Sequence, residues 1–284
     1  MELHEFRSMT GFLAYYNKVA HRRLKVAKLM AAEDEERKGW KLIGYCDPCD
    51  NESKFIVDWN YSNGIVPNYR ERLVCEHCGL NNRQRFMAGY LKNLLKESGS
   101  RIKHLYLYEQ VTSFYKSIKE KENLWPINII GSEYLGVRFP SGKIINGIRH
   151  EDALNLSFND NSFDLIISND VYEHVPDINQ ALREVFRITR KGGRLFFTVP
   201  FYVNKQYSEK RAALKRDKVV HFLPEQYHGN PVDENGSLVF YDFGWDILDI
   251  IKQIGFKDAR MVAYYSFFYG YLGDGLQFIF EAEK

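Results

Sequence analysis

The sequence predicts an α/β fold in which a mostly parallel sheet carries helices on both faces, behind a short helical segment and a small four-cysteine module. Three observations predict it. From about residue 102, short apolar runs alternate with amphipathic stretches. All four cysteines of the 284-residue chain fall between 41 and 90 in two paired spacings. Residues before 40 repeat apolar side chains at helical intervals. The boundaries follow from these shifts: a helical segment over 1–40, a cysteine module over 41–95, and an α/β domain over 96–284 with an insertion at about 201–241.

The helical segment places Phe12, Tyr15, Tyr16 and Val19 on one face, and Leu24, Ala27 and Met30 continue it. An amphipathic helix packed on a larger body satisfies that pattern, and a partner-binding or membrane-surface helix is the alternative.

In the module, Cys46-Asp-Pro-Cys49 and Cys75-Glu-His-Cys78 are two C-x-x-C knuckles. Each presents two thiolates on one tight turn, and two such turns complete a tetrahedral site suited to zinc. Four thiolates close the coordination sphere, so the expected metal is structural. His77, inside the second knuckle, is a weaker rival ligand. Phe55, Ile56, Val57 and Trp59 suit short ribbon strands. Arg70, Arg72, Arg83 and Arg85 flank the second knuckle, either as ion pairs with Glu71 and Glu76 or as a grip on an anion.

In the α/β half, Ile102–Tyr108, Ile127–Ser132, Phe163–Ser168 and Arg194–Val199 read as strands, with helices over 111–121, 178–189 and 242–254. The glycine-spaced run ending in Leu276–Ala282 is expected to pair as a hairpin with the strand near Ala259–Tyr264, as an antiparallel edge. Ligands of an open α/β sheet sit beyond the carboxyl ends of its strands, which puts Asn169, Asp170 and Pro200 at one rim.

The stretch from His150 to Phe201 contains Glu151-Asp-Ala, Ser162-Phe-Asp, Glu173-His-Val and Lys191-Gly-Gly. In these motifs it resembles the class I S-adenosylmethionine-dependent methyltransferase family, in a type 11-like subgroup with an N-terminal cysteine module. The resemblance covers about 102–284. It implies a Rossmann-like seven-stranded sheet with one antiparallel strand, and S-adenosylmethionine across the first strands. By position it gives Asp152 and Ala153 to the adenine, Glu133 to the ribose hydroxyls, Tyr108 and Glu109 to the first loop, and Asn169 and Asp170 to the methionine end. The family's first strand runs into a glycine-rich turn, whereas this chain has Tyr108-Glu-Gln-Val-Thr-Ser113. The phrases Asn81-Asn-Arg-Gln-Arg85 and Tyr227-His-Gly-Asn-Pro231 also resemble that subgroup.

An acceptor hydroxyl needs a base near neutral pH, and His174, His228 and His221 are the candidates. Tyr202, Tyr227, His228 and Gly229 are expected to contact the acceptor, with a tight turn at 227–231. Lys210, Arg211, Lys215 and Arg216 read as a solvated helix face. A net charge of +2 provides no global field for nucleic acid. The resemblance implies a small-molecule or glycan acceptor, which the near-neutral charge favours, and the alternatives are a zinc-module RNA methyltransferase and a non-catalytic binding protein. No apolar run approaches a membrane span, and the N-terminus lacks a secretory pattern, so a cytoplasmic setting is expected.

Overall fold

The computed structural model describes all residues except Glu33, Asn63 and Asp217, and describes Ser100 by its backbone alone. In chain order the elements are β1 (Glu2–Phe6), α1 (Met9–Ala32), β2 (Trp40–Cys46), β3 (Asn51–Val57), β4 (Val74–Cys75), α2 (Asn82–Ser98), β5 (His104–Leu107), α3 (Ser113–Lys119) and β6 (Asn128–Gly131). Then follow β7 (Ile144–Ile145), β8 (Ile148–Arg149), β9 (Phe163–Asn169), α4 (Ile178–Ile188) and β10 (Thr189–Thr198). The insertion holds β11 (Glu209–Lys210), β12 (Ala212–Lys215), β13 (Lys218–His221), β14 (Tyr227–Asn230), β15 (Asp233–Leu238) and β16 (Tyr241–Asp242). The chain closes with α5 (Asp246–Ile254), β17 (Asp258–Tyr265) and β18 (Gln277–Glu283).

A mixed seven-stranded sheet has the order β1-β17-β18-β10-β9-β5-β6. Its centre is parallel: β6 with β5, β5 with β9, and β9 with β10. Two features differ from the sequence reading. Residues 2–6, read as helical, form a strand antiparallel to β17. The strand at 277–283 is not an edge; it lies between β17 and β10 and runs antiparallel to β10. Antiparallel pairing thus occurs between β1 and β17 and between β18 and β10. Five residues of Glu-Leu-His-Glu-Phe offer too short a window for alternation to outweigh the helical period that follows.

The chain divides into two compact units: Met1–Gly99 with Met261–Ile279, and Ser100–Arg260 with Phe280–Lys284. In the second unit, β9 reads Phe-Asp-Leu-Ile-Ile-Ser-Asn because both its faces are covered, and Leu165, Ile166 and Ile167 are fully buried. Asp164, the charged residue of the strand, accepts from the Lys103 and His104 amides and from Arg190. Capped by Asp177, α4 buries Ile178, Ala181, Leu182, Val185 and Ile188 at helical spacing.

In the first unit, β2, β3 and β4 form an antiparallel ribbon. The phrase Asn81–Arg85 has a structural role there. Asn81 caps α2 in a reciprocal box with Gln84. Asn82 donates to the carbonyls of Tyr69 and Leu272. Arg85 is fully buried over the Phe55 ring and donates to the carbonyls of Leu73, Tyr269 and Gly270 at 3.2, 2.6 and 2.9 Å. Arg85→Ala strands three carbonyls and removes the stacked cation. We expect a loss of about 3–5 kcal/mol in denaturant unfolding; a loss under about 0.5 kcal/mol would show that the guanidinium is not what holds this corner.

Candidate functional site

In the first unit the knuckle geometry is tight. The Cys46 and Cys78 sulfurs lie 3.9 Å apart, those of Cys49 and Cys75 3.8 Å apart, and all four fall within 4.8 Å of one another. A tetrahedron with zinc–sulfur bonds of about 2.3 Å has edges of about 3.8 Å, so the donor set fits that ion. The Ser53 hydroxyl lies 3.0 Å from the Cys75 sulfur, in place to donate to it. Hydrogen bonding with Cys75 holds the Cys46 thiol far above its ordinary range, while the contact with Cys46 holds Cys75 below it. His77 is exposed and outside the group. Arg70 and Arg83 pair with Glu71, Arg72 pairs with Asp58, and Arg85 is the buried anchor described above.

In the second unit two acids brace the loop after β5. Glu133, just past β6, accepts through one oxygen from the Gln110 and Val111 amides at 2.6 and 3.0 Å. Charge-assisted bonds of this kind contribute about 1.5–3 kcal/mol each. Burial pushes the Glu133 carboxyl up, and the two amides pull it partly back. Glu109 accepts from Asn169 at 2.6 Å and from the Thr112 hydroxyl, and Thr112 also caps α3. No residue from 105 to 113 has positive φ. The loop therefore does not need the glycine whose absence the sequence shows.

Glycine is needed one strand away. A Cβ on Gly131 would stand 2.5 Å from the Glu109 carbonyl and collide with the Tyr115 ring. Gln110 is a further residue that the sequence reading missed. It donates to the Gly147 carbonyl and accepts from the Arg149 amide, fixing the β7–β8 turn to the same loop.

The remaining expected contacts fall as follows. Asp152 accepts from the Leu154 amide in a short turn that carries buried Ala153. Asn169 ends β9 beside Thr198, and its Oδ1 is buried without a hydrogen-bond partner. Asp170 follows with φ of 50°, and its amide donates to Thr198. The Tyr108 ring is buried against Tyr106 and Tyr172, so this residue brings its backbone rather than its ring to the loop.

On the acceptor side, the structure brings His174 and His228 together with Glu173. The His174 Nε2 and the His228 Nδ1 each lie 3.6 Å from the same Glu173 oxygen. The Glu173 side chain is fully buried, and burial pushes its carboxyl up. His221 is elsewhere, exposed and beside Glu225. The expected turn at 227–231 is instead a strand: Tyr227, His228 and Asn230 pair with β15, and the ladder shifts register at Gly229. A Cβ on Gly229 would meet nothing within 4 Å. Tyr202 and Tyr227 are exposed, with Lys205 over the Tyr202 ring. The expected helix face at Lys210–Arg216 is a pair of strands, and Arg211 pairs with Asp242.

Known proteins share part of this chain. Residues 88–197 match the family model described as a methyltransferase domain. That match covers less than half of the chain. An arsenite methyltransferase of Aquipseudomonas alcaligenes is 32% identical over 114 residues, covering 39% of this chain and 28% of that protein. The arsenite methyltransferase of Mus musculus is 36% identical over 130 residues, covering 46% and 30%. The chain thus spans less than a third of the length of these curated relatives. Among solved structures, an S-adenosylmethionine-dependent methyltransferase from Mesorhizobium loti superposes with a TM-score of 0.38 at 14% identity, over 68% of this chain and 96% of that one.

The packing at Gly131 yields a direct test. Gly131→Ala is expected to cost about 1–3 kcal/mol, because neither a backbone carbonyl nor a buried ring can yield freely. A variant with unchanged thermal stability would show that β6 and the Glu109 loop do not pack this closely.

Proposed function

We propose that the chain transfers a methyl group from S-adenosylmethionine to a heteroatom of a small molecule or a sugar unit. The observation that supports it best is the pair of braced acids at the carboxyl ends of β5 and β6, within a stretch that matches a methyltransferase domain. When bound, S-adenosylmethionine supplies a sulfonium-activated methyl. The chain's own residues bind and align it.

In this reading Glu133 commits one oxygen to the loop amides and keeps the other for the ribose hydroxyls. Asp152 and Ala153 hold the adenine edge. The buried, unpartnered Oδ1 of Asn169 faces the methionine end as an acceptor for its ammonium. Glu109 keeps the Asn169 amide pointed away from that group. Alignment of donor and acceptor, with water excluded, is the main demand of an in-line displacement. The insertion, with Tyr202 and the Tyr227–Gly229 strand, is the acceptor side.

The cysteine cluster serves as a structural zinc centre, because four thiolates leave no open position. The flanking arginines are engaged within their own unit, which favours the small-molecule reading over the RNA alternative. The non-catalytic alternative rested on the glycine-free loop, which is braced without positive φ.

Calorimetric titration tests the reading. S-adenosylmethionine and S-adenosylhomocysteine should bind in the micromolar range, and Glu133→Gln should weaken both at least tenfold. Affinity should fall as pH is lowered through the Glu133 titration, at higher pH than for an exposed glutamate because burial raises that group. The glutamine variant should lose this acid limb. Absence of binding by the folded wild type would overturn the proposal. For the zinc centre, Cys75→Ser should lower bound zinc by one equivalent per chain; unchanged zinc content would remove the cysteines from metal binding.

A further inference from the structure

We infer that Glu173, His174 and His228 form a second divalent-metal site, open to solvent or acceptor, separate from the four cysteines. The inference does not depend on the methyl-transfer reading.

A carboxylate with no solvent exposure is normally held by hydrogen bonds or by a cation. Both side-chain oxygens of Glu173 are buried, and neither has a hydrogen-bond partner. What faces one of them is a pair of imidazole nitrogens from different elements. His174 adjoins Glu173 in the 3-10 turn Tyr172–His174 after β9, and His228 comes from β14 in the insertion. Both stand 3.6 Å away, beyond hydrogen-bonding distance. Three donors on a tetrahedral ion with bonds of about 2.0–2.1 Å are separated by about 3.4 Å. Both nitrogens, at 3.6 Å from the carboxylate oxygen, stand close to that spacing, and the cluster, within 4.8 Å overall, closes by at most about 1.4 Å to reach it.

The outer contacts favour the same arrangement. The His174 Nδ1 is 2.8 Å from the Leu238 carbonyl and must carry its proton there. That leaves the Nε2 lone pair toward Glu173, as in a metal-bound histidine oriented by a backbone oxygen. His228 is steadied by Gln226, whose side chain lies 3.1 Å from Nε2. A half-turn of that carboxamide lets its oxygen accept from Nε2–H and frees the Nδ1 lone pair for the ion. The Glu173 backbone is tied to the insertion too, since its carbonyl accepts from the Phe240 amide at 2.7 Å.

Two imidazoles and one carboxylate suit zinc or ferrous iron, and three protein ligands leave a position for water or an oxygen or nitrogen of an acceptor. The two histidines, expected from the sequence as bases, are assigned here to coordination. The site also gives the insertion a reason to carry His228: it clamps β14 to the turn that follows β9.

The test uses the full chain and metal ions alone. Purified protein is loaded with zinc, dialysed, and analysed for metal per chain. The expected wild-type content is two equivalents. His228→Ala, on a surface hairpin, should fold and retain one, and Glu173→Gln should do the same. Affinity of the lost site should drop by more than the roughly 10–100-fold caused by loss of an outer-shell partner. With cobalt in place of zinc, the thiolate-to-metal charge-transfer band should persist in His228→Ala while the weaker nitrogen–oxygen ligand-field bands disappear. A wild-type content of one equivalent, or a second equivalent that survives both substitutions, would overturn the inference.

Discussion

The carboxylate of Glu133 on the amides of Gln110 and Val111 is the contact on which the candidate site depends. It joins the end of β6 to the loop after β5, and so fixes where the carboxyl ends of two adjacent parallel strands open. Gly131 permits the approach and Gln110 extends it to the β7–β8 turn. On the other side, Glu109 ties the same loop to Asn169 at the end of β9. Three strand ends are therefore registered by side-chain carboxylates rather than by a flexible glycine turn. The arrangement leaves two acids largely buried.

Much of this was legible in the sequence, and the reasons are local. The Phe163–Ser168 run and the α4 pattern are long, strongly periodic and bounded by turn residues, so their elements fall within a residue or two of expectation. The cysteine pairs are legible because spacing alone constrains four thiols. Other features depend on partners far away in the chain. The β1 strand exists because β17 offers an edge, and nothing within residues 2–6 announces that. The insertion read as helix and turn because Lys210–Arg216 and Tyr227–Pro231 are polar and short, while their strands are specified by hairpin pairing. In the sequence Glu173 stands only as one residue of the Glu173-His-Val motif. Its burial without a hydrogen bond, and the arrival of His228 beside it, are properties of the tertiary fold.

The arginine-rich phrase shows how local and tertiary roles interlock. Asn81, Asn82, Arg83, Gln84 and Arg85 are consecutive, yet they act in turn as cap, carbonyl bridge, ion pair, reciprocal cap and buried anchor. A basic cluster in sequence is thereby engaged inside the unit that also holds the cysteines. Arg83 is paired with Glu71 and Arg85 is buried, so both charges on this segment are engaged within the unit.

The most direct measurement is a crystal structure of the full chain with S-adenosylhomocysteine. The expected complex has the ribose hydroxyls on the free oxygen of Glu133, the adenine at Asp152 and Ala153, and the amino-acid end at Asn169, with the loop from Tyr108 to Thr112 unmoved. Ligand bound elsewhere, or a Glu133 released from the Gln110 and Val111 amides on binding, would contradict the central role given to that carboxylate.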